Sequence, residues 1–552
     1  MKTFRPKIID ALKGYSGRQL VSDLVAGLIV AIIALPLSIA LALASNAEPA
    51  QGLYTAIFAG FVIALLGGSR VNISGPTAAF ATIVAGIIAN YGMQGLVLAT
   101  IMAGLILILM GVLRLGALIK YIPHTITTGF TSGIAVTIVI GQIKDFLGMD
   151  FRGARPVEAF EKLHEIFKNT DTFRWEALVV GLVGLAILIV WPRISKKIPG
   201  SLVAVLVGAG LVAAIPVLRE GVPTIGALYT IDASFPIPRF PSISGELILE
   251  LLPSAFTIAL LAGIESLLSC VVSDDMIGDR HNSNTELIAQ GAGNICSGLF
   301  GGIPATGAIA RTAANVKNGG RSPISGMVHA VVLLLVLLFL MPYAGYIPMP
   351  IIAAILFIVA YNMCEWRQFV HICKTAPLTD ILVLVTTFVL TVVFDLVVAI
   401  AVGMVLTVVL FMKRMADVTY VRSWNDEEFL ASHNNMELKD IPDCTAVIEI
   451  EGPMFFASND KFRDIKIKDD VKVVILRMRD VPILDGSGSK NLFSIYEDCR
   501  KKGCTLLLSQ VGEQPMKVLR RAGLIKAVGE ENILPNIDEA LARAEKLVYP
   551  EK

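Results

Sequence analysis

From Asp23 to Met412 the chain is a series of long apolar runs; beyond that point short apolar stretches alternate with amphipathic ones. A helix that crosses about 30 Å of hydrocarbon needs about 20 consecutive apolar residues. On that criterion the pattern predicts spanning helices at 23–45, 52–68, 95–113, 123–143, 175–191, 200–217, 251–273, 285–300, 322–341, 347–362, 379–394 and 396–412. Two further segments, 75–90 and 307–317, are short or broken by Gly and Pro, and counting both gives fourteen. From Asp443 the pattern is different. CTAVIEI, VKVVILRM and CTLLLSQ read as buried strands, while NLFSIYEDCRKKG, EQPMKVLRRAGL and IDEALARAEKL read as amphipathic helices. Strands alternating with helices imply a small α/β domain. The predicted organisation is an N-terminal segment (1–20), an all-α polytopic membrane domain (21–413), a polar linker (414–440) and the α/β domain (441–552).

Composition sharpens this division. The chain has 552 residues, 55% of them hydrophobic and only 17% charged, and the charge is concentrated in the last part. A net charge of +1, with no basic stripe interleaved with aromatics, gives no reason to expect a nucleic-acid partner. Seven cysteines show neither a C-x-x-C pair nor metal-ligand spacing, so no metal or cofactor is expected. The basic, amphipathic N-terminus lacks a cleavage site and does not read as a signal peptide. Lys2, Arg5, Lys7, Lys13 and Arg18 fall on the same side as Arg114, Lys120, Arg193, Lys196, Lys197, Lys413 and Arg414. Positive charge in short loops marks the cytoplasmic face, so both termini are expected there. The opposite side carries the longer loop 144–174, where ARPVEAFEKLHEIFKN has the composition of a surface helix.

The two broken segments resemble each other. GGSRVNISGPTAAFATIVAGI (67–87) and GGIPATGAIARTAANV (301–316) each open on a Gly pair, run through a short extended stretch, and reach Gly75 or Gly307 followed by small residues. They occupy matching places in two halves, roughly 20–240 and 250–412, which is the sequence sign of a transport site near the bilayer midplane. A helix that begins inside a membrane presents unpaired N–H groups and the positive end of its dipole, and two such starts facing each other suit an anion. The plainer reading is a pair of kinked helices with small residues for close packing. Two charges stand in this apolar setting, Arg311 and Glu265. An acid within a membrane helix is a candidate coupling group, and Glu265 shares a helix face with Ser269, four residues on. Glu265 fits either a carrier of the coupling proton or cation, or a structural partner for Arg311.

IALPLSIALALASNAEPAQGLYTA, SGPTAAF and the run from GIESLLS through TELIAQGAGNICSGLFGGIPATGAIARTAANVKNGGRSPISG resemble the sulfate permease family (SulP, solute carrier family 26), and the domain containing VPILDGSGSKNL is similar to a STAS domain. The resemblance implies a seven-plus-seven inverted repeat with core and gate domains and two half-helices, an inner-membrane homodimer, and anion transport by an elevator-like motion. In detail it is similar to the bacterial branch that takes up C4-dicarboxylates (succinate, fumarate, aspartate) with protons; a sulfate or bicarbonate transporter, proton- or sodium-coupled, is the alternative. By position the resemblance assigns the anion site to Thr77 and Ala78 on the first half-helix and Ala308, Ile309, Ala310 and Arg311 on the second, with Leu41 in the wall. Glu265, Ser269 and Gly307 take the coupling-ion place. The sodium-coupled members carry Asp and Thr where this chain has Glu265 and Ser269, and lack the arginine, which favours protons here. In related soluble STAS domains a phosphorylated Ser follows the Asp; here Gly486 follows Asp485, which leaves a stabilising or docking role, with acyl carrier protein as a possible partner.

Two other classes compete. A membrane-anchored STAS signalling protein needs no coupling acid, so Glu265 argues against it. A nucleobase carrier of the same fold reads a neutral base with acids on both halves, which Arg311 does not suit. No P-loop and no nucleophile–base constellation is present, so an ATP-driven pump or an enzyme is not expected.

Overall fold

The structure is a computed structural model describing residues 4–117, 123–152, 156, 158–195, 198–231, 233–238, 240–241, 244–394, 396–424, 441–463, 465 and 467–550. Lys2, Lys120, Lys196, Lys197 and most of the expected linker, 425–440, lie outside the described residues. The chain divides into two compact units, one ending at Val405 and the other beginning at Leu406.

Among the described residues nine helices are long and apolar enough to cross a membrane, the last of them, Leu396–Asp417, running across the division between the units; the shorter apolar Gly200–Ala214 and Leu378–Val393 join them. Ser283–Leu299 and Ile309–Lys317 add two more. Ala78–Val112 counts twice because Gly92, at φ +67°, breaks it into a half-helix and a full span. That makes the fourteen segments expected. Several ends move: the helix expected at 251–273 is Gly245–Ile277, and that expected at 23–45 is Gly17–Ala44 with Pro36 inside it. The amphipathic Trp366–Thr375 helix was not anticipated, because its polar face breaks the apolar run. The loop at 144–174 does carry a helix, Ala159–Lys168.

The helices fall into two packed groups, and the packing repeats. Gly17–Ala44 lies on Pro323–Ala344 as Gly245–Ile277 lies on Ala78–Val112; these four, with Pro49–Leu66, Ser283–Leu299 and the second half-helix, form the core. His124–Phe146 packs on Met349–Met363 and Leu378–Val393, and with Trp175–Ile194 and Gly200–Ala214 they form the gate. The halves meet head to head: Ser74 pairs with Gly307 and Gly75 with Thr306 in a short antiparallel bridge. This is the inverted seven-plus-seven repeat.

A buried acid ties the two halves at one end. Asp23, fully buried on Gly17–Ala44, accepts from the backbone N–H of Arg321 (2.8 Å), from Ser322 Oγ (2.5 Å) and from Tyr15 Oη (2.7 Å). It thereby holds the start of Pro323–Ala344, whose first N–H groups have no partner within the helix. Burial, and then the bond to Asp23, push the Tyr15 phenol up to about 12.

In the second unit a five-stranded sheet runs in chain order, with an antiparallel first strand and parallel strands after it. The Leu396–Asp417 helix continues past Met412, and Tyr420–Ser423 is the first strand. The opening of the stretch expected to be linker is therefore helix and sheet; Tyr420–Ser423 is too short and too polar to read as a strand without its partner, Thr445–Glu451. Asp485 caps the Gly486–Lys501 helix by accepting from Gly488 N (2.8 Å), so Gly486 opens the helix where the phosphorylated Ser of related domains would stand.

Candidate functional site: two half-helix starts on one cavity

The first half-helix begins after Thr77, the second after Ala308, and no side chain caps either start. Uncapped N–H groups with the dipole behind them form an anion cradle. Two glycines allow the starts to approach. A Cβ on Gly75 would stand 2.7 Å from Arg311 Nη1, and one on Gly307 2.9 Å from Asn72 Nδ2. A side chain at Gly75 would displace the guanidinium, and one at Gly307 would also press on the Ser266 backbone.

Both starts open onto one cavity of about 1990 Å³. Leu41, Thr77, Ala78, Glu265, Gly307, Ala308, Ile309, Ala310 and Arg311 all contribute to its wall. Its mouth lies on the face that carries the N-terminal segment, beside Arg5, Lys7, Arg114 and Arg280. There Lys7 and Arg70 pair with Asp279 (3.0 and 3.1 Å). Partial burial raises the Asp279 carboxyl, but the Arg280 N–H and the Lys7 and Arg70 charges outweigh it and hold the group below its usual range. His281 lies between Asp274 Oδ2 (2.7 Å) and Ser283 Oγ (3.0 Å). Asp274 also accepts the His281 backbone N–H (2.8 Å), so the three residues lock the turn between two helices.

The two charges are separate. Thr77 Oγ1 donates to Glu265 Oε2 at 3.1 Å, which ties the acid to the first half-helix. Arg311 is 2% exposed, and its guanidinium crosses behind the first half-helix to donate to the Pro76 carbonyl. It is a positively charged strut between the two starts. Nε and Nη1 have no protein acceptor.

Ser269 is not with Glu265. Its hydroxyl is fully buried, donates to Asn72 Oδ1 (2.7 Å) and lies 3.0 Å from Thr312 Oγ1. The expectation that Glu265 and Ser269 act as a pair is corrected: sharing a helix face does not fix the rotamer, and packing brings Asn72, from the other half, within reach of the Ser269 hydroxyl.

A polar stripe behind the site was missed. Glu286, Gln290, Asn294 and Ser297 lie on one buried face of Ser283–Leu299. Glu286 accepts from Gly68 N (2.8 Å), Ser69 N (3.2 Å), Asn72 Nδ2 (2.8 Å) and Gln290 Nε2 (3.0 Å). Asn294 clamps both backbone groups of Ala305, at 2.8 and 2.9 Å. The stripe therefore satisfies the extended backbone that leads into each half-helix, as irregular chain at membrane depth requires. The signal was present in TELIAQGAGNICSG, whose polar residues recur at helical spacing within an apolar segment. Glu286→Ala removes the acceptor shared by four donors, only one of which, Gln290 Nε2, keeps another in Ser74 Oγ, and is expected to destabilise the protein by about 3 kcal/mol or more. A clear fall in the thermal midpoint of the full-length protein checks this; an unchanged midpoint contradicts it.

Half-helices that meet at the interface of an inverted repeat, beneath one cavity, define a membrane transport protein with an anion-type site. The chain belongs to the sulfate permease family: the model described as "Sulfate permease family" matches residues 20–389, and that of the STAS domain matches 435–540. It is 39% identical to the putative sulfate transporter YvdB of Bacillus subtilis, over 96% of this chain and 98% of that one. It is 31% identical to the bicarbonate transporter BicA of Picosynechococcus sp., over 97% and 96%. The solved structure of the murine Solute Carrier 26 family member A9 (Slc26a9) anion transporter in the inward-facing state shares the fold, with a TM-score of 0.88 at 18% identity over 98% of this chain and 94% of that chain. The family is one of transporters, and the chain is a multi-pass membrane transport protein rather than an enzyme.

Proposed function

We propose that this chain is a secondary active transporter of a small inorganic oxyanion, sulfate foremost, driven by protons and working by alternating access of the core against the gate. The observation that carries the reading is the pair of uncapped half-helix starts with Arg311 strutted between them. Uncapped N–H donors at two helix starts with a buried cation between them suit a compact oxyanion of high charge density. The relative named as a putative sulfate transporter supports the choice. The C4-dicarboxylate expectation has no support among the relatives described above, whose names refer to sulfate and bicarbonate.

Proton coupling is favoured over sodium by two contacts. Ser269 is committed to Asn72 and Thr312, and Glu265 is held by a single hydroxyl donor. A lone carboxylate with one hydrogen bond is better suited to take up a proton than to complete a cation shell. The N-terminus is assigned to the cytoplasm by the basic residues on its side, and a homodimer is part of the same proposal. The BicA relationship supports a second reading, bicarbonate carried on the same scaffold.

Uptake into proteoliposomes tests these readings together. Labelled sulfate, bicarbonate and succinate are offered with and without sodium and pH gradients. Sulfate accumulation that follows the pH gradient is the expected result. Sodium-driven bicarbonate uptake supports the second reading, and succinate uptake without sulfate uptake overturns both.

A further inference from the structure

The amphipathic Trp366–Thr375 helix is tied at both ends to apolar helices of the gate. Only Cys364 and Glu365 separate it from Met349–Met363, and only Ala376 and Pro377 from Leu378–Val393. Ser132 Oγ holds the first of these turns by donating to the Cys364 carbonyl (2.6 Å). Ten residues of helix are about 15 Å long. With both ends held where apolar helices leave the hydrocarbon, the segment lies along the boundary between lipid and water.

Its sides differ in chemistry. Ile372 is buried and Phe369 meets the Phe388 ring edge-on, with centroids 5.4 Å apart, so this side packs on the gate. Trp366 and Val370, four residues apart and thus on one side of the helix, are 46% and 38% exposed, and Leu378 just beyond is 80% exposed. Arg367, His371 and Lys374 form an exposed basic row beside them, with the Arg367 guanidinium 5.6 Å from the centre of the Trp366 ring. The helix carries no acid, and Glu365 before it lines the cavity. Among the described residues neither Arg367 nor Lys374 has a carboxylate partner. An apolar edge bordered by unpaired cations is the chemistry of a helix that lies in the headgroup layer.

We propose that this helix is an interfacial anchor of the gate and binds an anionic phospholipid. Trp366, Val370 and Leu378 sit among the upper acyl chains, and Arg367 and Lys374 take the headgroup phosphate. A guanidinium donates two parallel N–H bonds to phosphate oxygens, and the ammonium of Lys374 adds a point charge. A zwitterionic headgroup brings its own cation to the phosphate, whereas an anionic one leaves that place to the protein. The indole keeps its ring in lipid and its N–H, 3.3 Å from Tyr361 Oη, at the polar edge. A gate anchored in this way gives the core a fixed frame to move against. The site is separate from the half-helix starts and does not depend on which anion the protein carries.

Trp366 is its own reporter. Full-length wild type and the Arg367→Gln/Lys374→Gln double variant, each with and without Trp366→Phe, are reconstituted in vesicles of phosphatidylcholine and phosphatidylglycerol. One lipid or the other is brominated on its acyl chain close to the headgroup, and fluorescence quenching is measured. The difference made by Trp366→Phe isolates this indole from Trp175, Trp191 and Trp424. Wild type is expected to show Trp366 quenched by both lipids, with phosphatidylglycerol favoured over its bulk share by about fivefold for each basic residue. The double variant is expected to keep the quenching and lose the preference. Should it fail to fold, wild type in raised salt decides: a preference that falls with screening supports the site, and one that salt leaves unchanged overturns it. No quenching of Trp366 by either lipid, or the same preference in wild type and the folded double variant, overturns the proposal. Excess inorganic phosphate is expected to leave the quenching unchanged; its loss overturns lipid as the occupant.

Discussion

Replacing Arg311 with alanine is expected to weaken anion binding about 100-fold, a loss of about 2.7 kcal/mol, while leaving the protein folded. The size follows from where the charge sits. A guanidinium that is 2% exposed, beside two helix starts, acts through a medium that screens it far less than water does. Its direct contact with the protein is modest, since one N–H donates to the Pro76 carbonyl and two nitrogens have no acceptor. Removing it therefore removes field more than it removes structure. Arg311→Lys keeps the charge but not the reach across Gly75, and should recover part of the affinity. Sulfate titration of the purified variants, with elution profiles as the check on folding, distinguishes the cases. Wild-type affinity in the alanine variant would leave Arg311 as a strut alone.

Glu265→Gln should abolish accumulation driven by a pH gradient and spare anion exchange across the same membrane. Glutamine presents an oxygen to Thr77 where the carboxylate now accepts at 3.1 Å, so the first half-helix keeps its tie. What glutamine lacks is the ability to bind and release a proton. The variant therefore resembles the protonated state permanently, and a carrier that cannot change protonation exchanges anions without concentrating them. Counterflow of labelled sulfate measures the surviving activity, and uptake against a gradient measures the lost one. If pH-driven accumulation persists in the variant at the wild-type rate, the coupling proton is carried elsewhere.

Much of the architecture was legible in the residues. Apolar runs gave the spans because a lipid environment admits little besides helices of sufficient length. The paired GG-to-Gly segments marked the half-helices, where a Cβ would meet the Arg311 guanidinium at Gly75, and Asn72 and the Ser266 backbone at Gly307. Glu265 and Arg311 stood out because a charge in such a context is expensive. Less legible were residues whose polarity is ordinary. Asn72, Thr312 and Gln290 look unremarkable in the sequence, yet they bind the extended chains to the helices behind them. The Tyr420–Ser423 strand was lost for a similar reason: it is defined by its partner and has little pattern of its own.

By itself, the sequence determined which segments enter the membrane, where two of them break, and which charges must be accommodated there. Those outcomes follow from local quantities: run length, glycine at a fixed place, the cost of transferring a charge. The tertiary structure decided the partners. Ser269 turns to Asn72, 197 residues away, and not to Glu265 four residues away. Arg311 reaches the carbonyl before the opposite half-helix, and Glu286 serves the loop of the other repeat. Helical period fixes the face on which a side chain lies. What it meets there depends on packing between halves that are distant in the chain, and a hydrogen bond goes to whichever group that packing brings within about 3 Å.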